Sequence, residues 1–189
     1  MAVLFASEDT IKKSTTINGN VDVELLLPYI KVAQDIHIHQ LLGTDLYDKL
    51  QNDISDDSSD TPTTNYKTLL DEYIQPVLIH YSLYECLPFL SYKIMNKDIV
   101  RKISETSTAA SLEDIKYIRE IVKNTAEYYA TRLVDYLCNF NHLYPEYNTN
   151  SNGDLAPTKD TYFSGIVLDR YEQKSKLTLR SFLDASFDI

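Results

Sequence analysis

The chain has no tryptophan, four glycines and two cysteines in 189 residues, and each shortage narrows what it can be. Four glycines leave little material for a phosphate-cradling loop, and neither a glycine-rich nucleotide motif nor a nucleophile elbow is present. The cysteines, Cys86 and Cys138, fall in apolar helical stretches, where a thiol packs as a small hydrophobe; both are expected to be buried and reduced. No run of about 18 apolar residues occurs, so no helical membrane span is expected. Residues 1–10 lack the basic start of a secretory signal, and a soluble protein made in a cytoplasm is the expectation. Basic residues are short as well. Lysine and arginine number 18 against 28 aspartates and glutamates, a net charge of 18 − 28 = −10. Affinity for nucleic acid comes largely from neutralising phosphates, so a chain this acidic is a poor candidate for gripping DNA or RNA, and the same sign disfavours an anionic membrane.

What is present points to helices. Hydrophobic residues make up 43% of the chain, ordinary for one domain with a sizeable core. Fifteen residues are tyrosine, a side chain with a large apolar body and a polar tip that suits partly wet interfaces. Over residues 111–141, Ile115, Ile118, Val122, Tyr129, Leu133, Tyr136 and Phe140 recur at helical spacing. Ser111 stands as the N-cap, with Glu113 and Asp114 facing the positive end of the helix. A helix of about 30 residues would be roughly 45 Å long, more than its own core needs, so part of it should meet something else.

The remaining segments are read around that helix. Residues 1–21 are expected to form an extended arm, with a short strand at residues 3–5. A short helix to Leu27, a kink at Pro28 and a helix to Leu42 should follow, burying Tyr29, Val32, Ala33 and Ile36. Gly43 is placed to be a left-handed cap, Thr44 the next N-cap, and residues 45–51 a brief helix. Residues 52–64 read as an aspartate-rich solvated loop; without the turn glycine and closing glutamate of an EF-hand, they are not a calcium site. Residues 65–95 keep a helical face through Leu69, Leu70, Tyr73, Val77, Tyr81, Tyr84 and Leu87, interrupted by Pro76 and Pro88, so a bent helix or two in series is expected. The next residues lose that period and predict a short β or irregular connector before Ser111. Beyond the long helix come a loop, a candidate strand at 162–168, and an apolar tail that should dock on something. The fold class is therefore mainly all-α, a bundle spanning residues 22–147, with an arm at 1–21 and a loop and arm at 148–189.

Catalytic chemistry finds few candidates. His37 and His39, two apart on a helix, point away from each other and cannot reach one ion together. His80, Glu85 and Cys86 share a helix but not a face. Acid pairs such as Glu113 and Asp114 are better explained as helix-start charges than as acid and base. No catalytic, cofactor-binding or metal-ligating residue is expected, and the protein is not expected to be an enzyme.

Two blocks carry a resemblance. The first is residues 26–50, with a proline-started helix, Ala33-Gln34, Leu42-Gly43 and Leu46-Tyr47. The second joins the proline-broken helix, the connector at 96–111 and the long helix ending in Tyr144-Pro145-Glu146-Tyr147. Together, over roughly residues 22–147, they resemble the small helical head–tail connector, or adaptor, proteins of tailed bacteriophages, especially those of crAss-like and other Bacteroidetes phages. The resemblance implies a homo-oligomeric ring of about twelve copies in the virion, docked beneath the portal protein and against neighbouring tail or connector rings, with a heterologous interface between copies. It implies a bore through which DNA passes without tight binding, and it carries no catalytic residues. Partner contacts are expected at Phe5, Tyr144, Tyr147, Phe163, Phe182 and Phe187, with Tyr144 and Phe163 capping the bundle's own end as the alternative. A monomeric acidic adaptor that regulates a host protein, and a helical metal-dependent hydrolase using His37, His80 and nearby carboxylates, are the alternatives.

Overall fold

Apolar residues at helical spacing build almost everything seen in the computed structural model, which describes residues 3–17, 21–55, 64–94, 99–101, 111–151 and 153–159. The elements are α1 (Glu8–Ser14), α2 (Val23–Ala33), α3 (His39–Leu42), α4 (Thr44–Ser55), α5 (Thr64–Thr68), α6 (Gln75–Ser91), β1 (Tyr92–Ile94), β2 (Ile99–Arg101) and α7 (Leu112–Asn139). Two 3₁₀ turns, Asn141–Leu143 and Pro145–Asn148, follow. The fold is all-α, with an antiparallel two-stranded ribbon, Tyr92 opposite Arg101, where the helical period is lost.

α6 lies at the centre, flanked by α2 and α7. Val77, Leu78, Ile79, Tyr81, Leu83 and Cys86 are all buried, so this helix is apolar nearly all round, as a central helix must be. The pairings run antiparallel. Tyr29 of α2 stacks on Phe89 and His37 on Tyr81, while on the other side Tyr73 meets Tyr136 and His80 meets Tyr129. The Cys86 thiol is buried and its pKa pushed up to about 11 by desolvation, leaving it inert. Cys138, by contrast, is exposed: it falls outside the α7 core row Ala126, Ala130, Leu133, Val134 and Leu137.

The start of α7 follows its sequence. The Asp114 amide donates to Ser111 Oγ at 3.1 Å, and the Ser111 amide donates to Asp114 Oδ2 at 2.9 Å, a reciprocal capping box that satisfies two orphan donors. Twenty-eight residues make a rod about 42 Å long.

The proline positions behave differently from expectation. α2 runs through Pro28 without a break, and a wider π-turn, Gln34–Ile38, then joins it to α3. A second π-turn, Leu69–Ile74, immediately precedes Pro76. Pro76 has no amide to donate, and the turn before it is loosened so that Gln75 donates five residues back to the Leu70 carbonyl. The buried face of α2 is also rotated from the one expected: Leu26, Ile30 and Ala33 are buried while Val32 and Ile36 are exposed.

Residues 3–17 are not an extended arm. Ser7 caps α1 by accepting from the Thr10 amide, and Glu8 and Asp9 occupy its first turn, the charge pattern that favours a helix start. Phe5, Ala6, Ile11 and Ile17 join the common core. At the other end, Thr44 exchanges hydrogen bonds with Leu155: its amide donates to the Leu155 carbonyl, and its hydroxyl accepts from the Leu155 amide, each at 3.0 Å. Gly43 makes this corner possible. It has φ 76° and ψ 161°, an extended mirror-image conformation open essentially to glycine alone and not the left-handed helical cap expected. A Cβ there would lie 2.7 Å from Pro157 Cδ. Gly43→Ala is expected to lower stability by about 2 kcal/mol; a urea midpoint equal to that of the natural chain would refute the role given to this corner. Of the loop expected at 52–64, residues 52–55 instead continue α4 and Thr64 begins α5; residues 56–63, the candidate strand at 162–168 and the tail lie outside the described residues.

Candidate interaction surface

Three of the six expected contact residues are interior. Phe5 is buried edge-on against Tyr47, with ring centroids 5.3 Å apart. Its backbone is held by the buried amide of Gln34: Oε1 accepts from the Phe5 amide and Nε2 donates to the Val3 carbonyl, both at 2.8 Å. Gln34 Nε2 also reaches Tyr47 Oη at 3.0 Å, and that hydroxyl donates to Asp35 Oδ1 at 3.2 Å. The π-turn thus supplies two adjacent residues that fasten the N-terminal segment to α4.

Tyr144 and Tyr147 are likewise buried. Tyr144 donates to the Asn65 carbonyl at 3.0 Å, and its hydroxyl lies 3.1 Å from that of Tyr136. Tyr136 stacks on Tyr73 at 3.8 Å, with the Arg132 guanidinium over the Tyr73 ring. Tyr66 packs edge-on against Tyr144 and donates to Glu146 Oε2 at 2.8 Å. Burial raises the hydroxyl pKa of Tyr66, Tyr144 and Tyr147 far above its ordinary value, so these phenols stay protonated, and Tyr66 and Tyr144 remain donors. This tyrosine cluster closes the end of the bundle, and Phe5, Tyr144 and Tyr147 are corrected from partner contacts to core. Phe163, Phe182 and Phe187 lie outside the described residues.

The histidines also do structural work. His37 stacks on Tyr81 at 3.8 Å, and its Nε2 lies 3.1 Å from Glu85 Oε1, whose other oxygen is 3.8 Å from Arg119. His39 points elsewhere, stacking on Tyr47 and bonding Thr44, so the two diverge as their spacing requires. His80 stacks on Tyr129. Among the described residues, no group of three or more His, Cys, Asp or Glu side chains could hold a metal ion. Desolvation lowers the pKa of His37 against the opposing pull of Glu85, and lowers that of His80. A histidine whose folded pKa lies below its unfolded value binds protons more readily when unfolded; its contribution is present above pH 6.5 and lost as pH falls below it. Stability is therefore expected to drop between pH 7.5 and 5.5, and His37→Asn should shrink that drop; urea melts at the two pH values measure both.

The surface that remains is on α7. Tyr117, Ile118, Ile121 and Tyr128 are 67%, 46%, 49% and 62% exposed. Tyr117, Ile121 and Tyr128 fall within about 40° of one another on a 3.6-residue wheel, on the side away from Ala126, Ala130 and Leu133. Asn124 and Thr125 fill the gaps, so no charge interrupts the row. Contiguous exposed apolar rows of this kind mark interaction sites. A second patch lies on the α2 side of the layer, where Val32 and Ile36 are exposed and Tyr29 carries the exposed Phe89 ring at 4.9 Å. Helical spacing alone predicts Ile118, Val32 and Ile36 as core and assigns no role to Tyr117, Ile121 and Tyr128. The available signal was that α7 has apolar side chains at more positions than one buried face can hold.

The class defined by these features is an all-α protein with its aromatic residues divided between a closed bundle end and an open helix face. No described helix is long and apolar enough to cross a membrane. The chain belongs to DUF6712, a family of unknown function, which matches residues 38–156. That match begins and ends beside the corner where Thr44 bonds Leu155. No curated protein and no solved structure matches the chain.

Proposed function

We propose that this chain is a non-enzymatic structural subunit of a homo-oligomeric ring, about twelve copies around, that joins portal to tail in a bacteriophage virion. The observation that carries the reading is the uncharged, solvent-facing row Tyr117, Ile118, Ile121 and Tyr128 on α7. Closing a ring requires two different patches on each copy, one for each neighbour. The α7 row and the Val32, Ile36 and Phe89 patch lie on opposite flanks of the α6 layer and meet that requirement. The resemblance of residues 22–147 to head–tail connector proteins supplies the place in the virion and the portal as partner. Acidity fits the same role: about twelve copies of a chain with net charge −10 would surround a bore with roughly −120 charges, a lining along which DNA slides without sticking.

Light scattering on the purified chain, alone and mixed with portal protein, tests this. A ring-sized species, or assembly on addition of portal, is the expected result. A persistent monomer that ignores portal would overturn the reading in favour of an acidic adaptor acting singly.

A further inference from the structure

The ribbon of β1 and β2 is short of a neighbour. Its strands hold three residues each and, among the described residues, pair only with one another, so each keeps an open edge of backbone donors and acceptors. A lone two-stranded ribbon is marginally stable in water and gains from a third strand.

The chain beyond Lys159 heads towards it. Leu155 is bonded to Thr44, and three residues on, the Thr158 amide donates to the Gln40 carbonyl at 3.0 Å, so this segment runs back along α3 towards α2. His37 stacks on Tyr81 and Tyr29 on Phe89, which sets Gln40 level with about Leu78 and gives the segment the same sense as α6, whose end leads into the ribbon. From Leu78 to Tyr92 is 92 − 78 = 14 residues, about 21 Å of helix. An extended chain covers about 3.4 Å per residue and draws level with Tyr92 about six residues after Thr158, near Ser164. The residues that follow, Gly165 to Leu168, are enough to line a three-residue strand.

Their composition suits that place. Residues 162–168, YFSGIVL, carry no charge and contain the β-branched pair Ile166 and Val167. Residues 102–110, which also adjoin the ribbon, offer Ile103 as their one large apolar side chain. The apolar stretch 177–183 lies further along the chain than the distance requires.

We infer that residues 164–168 add to an open edge of the ribbon of their own copy as a third strand, held by main-chain hydrogen bonds. The route passes Ile36 and Val32, both exposed and on nearly the face that carries Gln40, so Tyr162 and Phe163 come beside the α2-side patch and extend it. The tail beyond Leu168 then leaves the bundle at the end where α7 begins.

Cysteine pairs in the full chain test this, in a Cys138→Ala background with Cys86 left buried. Lys93 and Val100 stand opposite each other in the ribbon. Lys93→Cys or Val100→Cys is combined in turn with Ile166→Cys or Val167→Cys, which covers both edges of the ribbon and both faces of the added strand. On mild oxidation at low protein concentration, at least one of the four chains should close a disulfide within itself, running as a monomer on a non-reducing gel and yielding the joined peptides by mass spectrometry. In the otherwise natural chain, Ile166→Pro together with Val167→Pro removes a ladder amide whichever way the strand faces. Residues 92–101 should then lose their slow hydrogen exchange while α6 keeps its natural rate. The inference is overturned if none of the four chains closes, or if the proline pair leaves exchange in the ribbon unchanged. Bonds formed only between chains overturn it as well, by making a second copy the source of the strand.

Discussion

Tyr144→Ala is expected to unfold about 4 kcal/mol more easily than the natural chain, the range found when a fully buried aromatic is truncated. Tyr144 is 0% exposed and sits between the rings of Tyr66 and Tyr136, on a loop that the following 3₁₀ turn pins in place, the Tyr147 amide donating to its carbonyl. Removing its ring opens a cavity where α5, α7 and that turn converge. Tyr144→Phe separates packing from hydrogen bonding. It keeps the ring and deletes only the hydroxyl that donates to the Asn65 carbonyl and meets Tyr136, and should lose about 1–2 kcal/mol. Urea denaturation of the three chains measures both effects. Equal losses would mean that the ring contributes nothing beyond its hydroxyl.

Gln34→Leu is expected to lower stability by about 3 kcal/mol and to do so locally. Leucine fits the volume but strands the buried Phe5 amide and takes from the Val3 carbonyl the nearer of its two donors, leaving Gln51 Nε2 at 3.4 Å; a buried polar group left without a partner costs roughly 1–3 kcal/mol. Both weakened groups belong to one segment, so the loss should appear as release of residues 3–14 before the bundle unfolds. Hydrogen exchange should speed up at Phe5 and Ile11 and stay near natural rates at Leu133 and Leu137. Uniform acceleration would show that the segment and the bundle unfold as one unit. Neither substitution touches the open face of α7, so whatever assembly the folded chain supports should survive both wherever it stays folded.

Long, strongly marked features were legible from sequence: the extent of α7, its Ser111–Asp114 cap, a disturbance of the helix at Pro76, the short β connector and the divergence of His37 and His39; the interruption expected at Pro88 was not, since α6 runs through it. Each follows from short-range chemistry. Helix rotation was harder. The buried faces of α2 and α7 are turned from those read off the spacing, because Val32, Ile36 and Ile118 are as apolar as the residues that are buried; only the position of α6 decides which side faces inward. The π-turn at Gln34–Ile38 adds to the problem, since an extra residue shifts every later side chain around the axis. Phe5, Tyr144 and Tyr147 were misplaced for a related reason. An aromatic on a segment without helical period reads as a spare contact, and nothing local reveals that Gln34 and Asn65, distant in sequence, fold it inward. The open row on α7 follows from the same rotation: a face drawn through Ile118 gives no place to Tyr117, Ile121 and Tyr128, which lie further round the axis.

The two π-turns bear on how this chain tolerates changes in length. Each holds one residue more than a regular helical turn, with Gln34 accepting from His39 and Leu70 from Gln75. Deleting a single residue from either would leave an unbroken helix of good hydrogen bonds. It would also swing everything downstream by about 100°, carrying Gly43 away from Pro157 in one case and the α6 side chains out of register with α7 in the other. At these two places the number of residues is more tightly fixed than their identity, and a point deletion should do more harm than most substitutions beside it.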